Sequence, residues 1–113
     1  MAAVLGAGLN FYGQLDPRRD APTKWSTLRR LPACEALRPA QLACGGHFTV
    51  AVDDDGACHR WGVDNGIVYD CPTRLDLGAP CRVLHASCGA KHTVALTDAG
   101  VVVTWGCGYF GQL

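Results

Sequence analysis

Two stretches of the chain repeat one alternation of apolar and polar positions. Phe48 to Val52 and Thr93 to Leu96 are short apolar or β-branched runs. Each leads into a polar turn ending in Gly56 or Gly100, then into a second run closed by Trp61 or Trp105. Extended runs around a Gly-ended turn predict a β-hairpin. A further run precedes each hairpin, Arg82 to Ser87 in one case and the less regular Arg38 to Ala43 in the other. Three strands per unit, with one more from the segment between units, predict four-stranded sheets repeated around an axis.

The two units are one sequence written twice. Residues 44–62 lie over 88–106 at a constant offset of 44, and nine of the nineteen pairs are identical. Cys44-Gly45 matches Cys88-Gly89, Gly56 matches Gly100, and Trp61-Gly62 matches Trp105-Gly106. A second motif recurs as well: Gly8-Leu9-Asn10-Phe11-Tyr12-Gly13-Gln14-Leu15 matches Gly106-Cys107-Gly108-Tyr109-Phe110-Gly111-Gln112-Leu113, with Ala7 where Trp105 stands. Ala7 to Trp61 is 54 residues and Trp61 to Trp105 is 44, a mean of 49, in the range of β-propeller blades, about 40 to 50 residues. The expected fold is therefore all-β: a partial β-propeller of about two four-stranded antiparallel blades plus part of another. The expected repeat units are 1–15 (partial), 16–62, 63–106 and 107–113 (partial). The repeated glycines are expected to supply positive φ or to let backbones approach closely, and the tryptophans to fill space between blades.

These residues resemble the repeats of the regulator of chromosome condensation family. That signature reads approximately Cys-Gly-x-x-His-Thr-x-Ala-Leu-Thr, two residues, Gly and a short strand, then Trp-Gly-x-Asn-x-x-Gly-Gln-Leu-Gly. Cys88 to Leu113 follows it nearly throughout, with His92-Thr93 and Gly111-Gln112-Leu113 in place, and Leu9 to Leu15 supplies the same tail with Asn10. The middle unit departs from it. Phe48 stands at the His position, with His47 one place early, and Trp61-Gly62 runs into Val63-Asp64-Asn65-Gly66-Ile67-Val68 without Gly-Gln-Leu. One blade-to-blade turn is expected to be altered there. Leu113 falls one residue before the closing Gly of the signature, which marks the chain as an expected fragment. The resemblance implies a closed propeller, typically of seven blades, and a protein-binding role. It further implies guanine-nucleotide exchange on a small GTPase, the activity of the founding member, which acts on the nuclear GTPase Ran at chromatin. The same repeats also serve as regulatory or scaffold domains of ubiquitin ligases and kinases.

Composition narrows the partners. Formal net charge is zero and 49% of residues are hydrophobic, which excludes self-repelling disorder and argues against direct nucleic-acid binding. No run approaches the roughly 18 apolar residues of a membrane span, and Met1 to Gly8 lacks the cationic start of a signal peptide. An intracellular protein, cytoplasmic or nuclear, is expected. Residues 16–40 are mildly basic, with Arg18, Arg19, Lys24, Arg29, Arg30 and Arg38 against Asp16, Asp20 and Glu35. This segment lies outside the repeats, so Trp25, Arg29 and Arg30 are the candidate partner contact.

Catalytic chemistry is not expected. The seven cysteines are odd in number and contain no C-x-x-C pair, a pattern of reduced, mostly buried thiols. Cys58 and His59 are adjacent on a strand and point to opposite faces, so they do not chelate zinc together. Gly6-Ala7-Gly8 would need a third glycine at Phe11 to read as a dinucleotide loop. Asp53-Asp54-Asp55-Gly56 would need an Asp at Ala51 to read as a calcium loop, and fits a hairpin turn instead. Cys44 with His47 or His92 resembles a thiol–imidazole pair, yet Cys-Gly recurs once per repeat, as architecture does and catalysis does not. His92 is expected to bond a backbone group. No catalytic residue, metal or cofactor is assigned.

Overall fold

The apolar run at the centre of the chain is buried on both faces, and this sets the arrangement around it. The structure, a computed structural model, describes residues 5–10, 12–18, 21, 23–31, 36–78, 81–108 and 111, with only the main chain of Ala7, Gly8, Leu9, Trp25 and Arg29. All the regular structure among these residues is strand. β1 (Leu5–Leu9) pairs with β2 (Lys24–Arg30). β3 (Pro39–Cys44), β4 (Phe48–Asp53), β5 (Cys58–Asp64) and β6 (Ile67–Arg74) form a four-stranded antiparallel sheet in that order. β7 (Val83–Cys88), β8 (His92–Thr97) and β9 (Val102–Gly106) form a three-stranded one. These are two blades and part of another, as the repeat predicts.

Period-2 alternation assigns each residue of β4 to one neighbour. Phe48, Val50 and Val52 pack with Val83, Ala86 and Ala95 of the third sheet, while Ala51 packs with Leu31, which follows β2, and with Trp61. β8 shows the same register with one side covered. Thr93, Ala95 and Thr97 are buried, and Leu96 is 41% exposed. A propeller blade is stable because each face is apolar and each face meets another blade.

The strands nearest between sheets are β3 and β7, and Gln41 on β3 bonds to β7 as a strand backbone would. Its Oε1 accepts the Ala86 N–H at 3.0 Å, and its Nε2 donates to the Ala86 carbonyl at 3.2 Å. The Nε2 also lies 2.8 Å from His85 Nδ1. Gly46 N–H donates to the Ala90 carbonyl, and Val83 N–H to the Gly56 carbonyl. A Cβ on Gly56 would meet the Arg82 main chain at 2.9 Å, whereas one on Gly100 would meet nothing within 4 Å. Both glycines have positive φ, 80° and 76°, so one turn chemistry serves both hairpins and only Gly56 carries a neighbouring blade.

The acidic triplet is a turn. Asp53 Oδ1 accepts from the N–H groups of Asp55 and Ala57, and Oδ2 pairs with His59 Nε2 at 2.9 Å. Thr97, its counterpart, bonds to Val101 N–H and carbonyl through one hydroxyl. Burial raises the Asp53 carboxyl, but the bonds from His59, Ala57 and Asp55 outweigh burial and hold it below its ordinary 3.8.

Two outcomes follow for urea unfolding. Gly100→Ala costs about 1 kcal/mol through its positive φ; Gly56→Ala costs at least about twice that, because its Cβ also strikes Arg82. Since the folded Asp53 carboxyl lies below the unfolded one, its contribution is present above the unfolded value and is lost as pH falls through the folded value. Stability followed from pH about 5 to 2 should therefore fall less steeply in Asp53→Asn than in the parent.

Candidate functional site

The residues that repeat are consumed at the joints between sheets, and the first joint shows what each does. Asn10 is buried; its Oδ1 accepts the N–H groups of Leu15 (2.9 Å) and Asp16 (3.0 Å), and its Nδ2 donates to the Asp16 carbonyl. Gly13, at φ 70°, closes the turn through its N–H to the Asn10 carbonyl. The folded loop aims two carbonyls at the second sheet. Thr49 Oγ1 donates to Gln14 O at 2.6 Å, and Trp61 Nε1 donates to Leu15 O at 3.1 Å. Gly62, at φ 99°, permits this approach, because a Cβ there would lie 2.5 Å from the His47 carbonyl oxygen and 3.1 Å from Gln14 Cα. At the rim the Tyr12 ring stacks on His47 with centroids 3.8 Å apart.

The second joint is built differently. Asn65 and Gly66 both have positive φ, 51° and 79°, the geometry of a two-residue type I′ hairpin. Between the paired Leu9 and Lys24 lie fourteen residues, and between the paired Val63 and Val68 only four. That difference accounts for the spacings of 54 and 44. The expected change in a blade-to-blade turn is thus a hairpin within one blade, which removes the loop that would have crossed to the next. Asp64 stands where Asn10 does, with Oδ2 on Arg60 Nη1 at 3.0 Å and Oδ1 unpartnered. Trp105 stands where Trp61 does, and its buried Nε1 has no hydrogen-bond partner among the described residues. Thr93 Oγ1 meets the Cys88 thiol at 3.5 Å in place of a carbonyl.

The other signature positions are also architectural. A Cβ on Gly45 would lie 2.3 Å from the Phe48 ring, and one on Gly89 would lie 2.3 Å from the His92 ring. The glycine of each Cys-Gly pair therefore makes room for the ring three residues on. His92 packs its ring there and makes no side-chain hydrogen bond among the described residues, contrary to the backbone bond expected. Gly106 (φ 112°) repeats the geometry of Gly62, and Gly111 (φ 76°) that of Gly13. Gly8 lies in β1. Gln112 and Leu113 lie outside the described residues, as do the side chains of Trp25 and Arg29; Arg30 is exposed at the end of β2.

The six described cysteines are free, and Cys34 lies outside the described residues. Cys58 and Cys107 are buried, but Cys44 and Cys71 are exposed, against the expectation of mostly buried thiols. Burial, then the charge of Asp53, pushes the Cys58 thiol up to about 11. Burial also raises Cys88, in part against the Thr93 hydroxyl bond that lowers it. Thiols so shifted are poor nucleophiles at neutral pH.

A cleft of about 420 Å³ lies between the Asn10 to Thr23 loop and the β5–β6 hairpin, lined by Tyr12, Asp16, Arg18, Val68, Tyr69 and Asp70 among others. Asp16 is fully buried and takes the Arg18 guanidinium on both carboxylate oxygens, with Nε at 2.9 Å from each. The ion pair ties Arg18 to the buried carboxylate two residues before it, with the Arg18 side chain 47% exposed. Sequence reasoning found the segment by its basic charge but not the Asp16–Arg18 clamp, which the two-residue spacing could have suggested.

The unequal joints give a direct test. Trp61→Phe strands the Leu15 carbonyl and should cost about 1 to 2 kcal/mol in urea unfolding. Trp105→Phe removes a donor that has no acceptor, so it should cost less than Trp61→Phe by about 1 kcal/mol.

Comparison with known proteins agrees with this architecture. The regulator of chromosome condensation (RCC1) repeat matches residues 83–112. The human probable E3 ubiquitin-protein ligase HERC3 is 34% identical over 76 residues, which are 67% of this chain and 7% of that protein. The crystal structure of human WBSCR16 superposes with a TM-score of 0.77 and 26% identity over 92% of this chain and 29% of its own. Prp20p from Saccharomyces cerevisiae superposes with a TM-score of 0.82 and 22% identity over 98% of this chain and 30% of its own. The chain spans less than a third of either propeller structure and less than a tenth of the ligase. With its Cys-Gly and Trp-Gly strands and these likenesses, the chain carries repeats of the regulator of chromosome condensation family, folded as part of a β-propeller.

Proposed function

We propose that the module docks a protein partner through the segment that the repeats do not explain, the Asn10 to Thr23 loop and β2, and that the partner is a small GTPase whose guanine nucleotide it helps to exchange. One observation carries this. The described signature residues turn inward to the joints, while Tyr12, Arg18, Ala21 and Thr23 of this segment line a cleft on the outside. On β2, Lys24, Ser26, Leu28 and Arg30 are exposed, with Leu28 at 71%. An exposed apolar side chain between basic ones suits a contact with an acidic surface that has an apolar centre. Trp25, Arg29 and Arg30 belong to the proposed contact.

Nucleotide exchange requires only that the nucleotide-free GTPase be bound more tightly than the loaded form. A rigid surface without catalytic side chains is sufficient for that. Yeast Prp20p is a protein whose crystal structure is described together with its binding to Gsp1p and histones. The identity with HERC3 favours a second reading, a regulatory domain within a larger ubiquitin ligase. We place the module inside the cell.

In a pull-down against a panel of small GTPases, followed by release of a fluorescent guanine nucleotide, the protein at micromolar concentration should accelerate release. Leu28→Asp with Arg30→Glu should abolish the acceleration without loss of fold. No acceleration from any GTPase rejects exchange and leaves the regulatory reading, for which capture of a ligase substrate is the readout.

A further inference from the structure

Three loops meet at one end of the second and third sheets, and a cleft of about 320 Å³ opens between them. His47 comes from the β3–β4 loop, Asn65 from the turn of the β5–β6 hairpin and Lys91 from the β7–β8 loop, with Val63 and Ala90 as apolar parts of the wall. The main-chain acceptors here are already bonded. His47 O takes the Val63 N–H at 2.8 Å, Lys91 O takes the Cys107 N–H at 2.8 Å, and Ala90 O takes the Gly46 N–H at 2.9 Å. The cleft is thus poor in free acceptors, and His47, Asn65 and Lys91 are all exposed.

Its charge has one sign. Among the described residues no Asp or Glu lines it. The acid nearest in sequence, Asp64, is 1% exposed and is held inside the sheet by Arg60, with Oδ2 3.0 Å from Nη1. Lys91 has no ion pair among the described residues, whereas Arg18, Arg38 and Arg60 each hold a carboxylate. The His47 ring gives one face to Tyr12 and makes no side-chain hydrogen bond among the described residues. His47 and Lys91 correspond at the offset of 44, so the repeat brings one nitrogen-bearing side chain to the cleft from each of two blades.

We propose that this cleft receives a glutamate side chain of a protein partner, its carboxylate held by Lys91 and the His47 N–H and its methylene stem laid along Val63 and Ala90. The volume is at the lower end of ligand-sized clefts, roughly 300 to 1,000 Å³, which suits one side chain with its stretch of main chain. A phosphoryl group is best matched by the bidentate fork of arginine; here a single ammonium stands beside an apolar wall, which matches a carboxylate on a stem. The position also continues the surface proposed above. Val63 lines both this cleft and the one beside the Asn10 to Thr23 loop, and Tyr12 of that loop stacks on His47 with centroids 3.8 Å apart. A partner seated on the loop lies beside this cleft, and the acidic surface that Lys24 and Arg30 ask of it extends to a second point. The seat does not require that partner to be a GTPase.

The test is titration of the isotope-labelled protein with the peptide acetyl-Gly-Leu-Glu-Leu-Gly-amide, read by NMR at Asn65, Gly66 and Lys91. These signals should shift saturably at up to millimolar peptide. The same peptide with glutamine for glutamate should bind about fivefold more weakly, the worth of one exposed ion pair, and so should the glutamate peptide on Lys91→Gln. Lys24→Gln, on β2, should bind the peptide as the parent does. Sodium chloride at about 1 M, where the screening length is about 3 Å, should remove the preference for glutamate. The proposal is overturned by no saturable shift, by equal binding of the glutamine peptide, by undiminished binding to Lys91→Gln, or by the same saturation with sodium acetate at equal concentration, which would mean an adventitious ion only. With no GTPase in the tube, this outcome is read separately from the exchange assay.

Discussion

Everything in this structure depends on a sheet that cannot satisfy itself. β4 is buried on both faces, and β5 beside it buries Trp61, so each sheet needs a neighbour on either side. Burial alone would let such sheets slide. The bonds from Thr49 and Trp61 to the carbonyls of Gln14 and Leu15 fix where the first two sheets meet, and the Gln41 amide on Ala86 fixes the second and third. Hydrophobic area supplies most of the attraction; a few directed hydrogen bonds supply the register.

Once the joints are seen this way, the repeat signature reads as a list of contacts. The glycine after cysteine admits a ring, the glycine after tryptophan admits a neighbouring loop, and the asparagine clamps the loop that crosses. The described positions are spent on packing and on the joints, and burial raises the Cys58 and Cys88 thiols. In the proposed reading, partner contact falls to what does not repeat, here the long loop and β2.

Most of the fold was legible in the chain. The 44-residue echo located the hairpins, and the matching place of a run before each Cys-Gly located β3 and β7, although neither is buried along its length. β6 was harder to see. Its residues alternate weakly, and Asn65-Gly66 is a hairpin signal that was masked by alignment to a motif ending in Gly-Gln-Leu. The site was less legible still, because its meaning lies in pairs remote in sequence. Leu15 with Trp61 and Gln41 with Ala86 carry no local pattern, and the orphaned Trp105 indole is visible only by comparison with Trp61 in space. The Cys-Gly repeat does not tell that Cys44 is exposed and Cys88 half-buried, because the two copies have different neighbours.

Hydrogen exchange of the tryptophan indoles tests the central claim most directly, that joint contacts rather than sheet contents distinguish the repeats. Trp61 Nε1–H, bonded to Leu15, should exchange only with global unfolding, and Trp105 Nε1–H should exchange at least about a hundredfold faster through local opening. Equal protection of the two indoles would contradict the account.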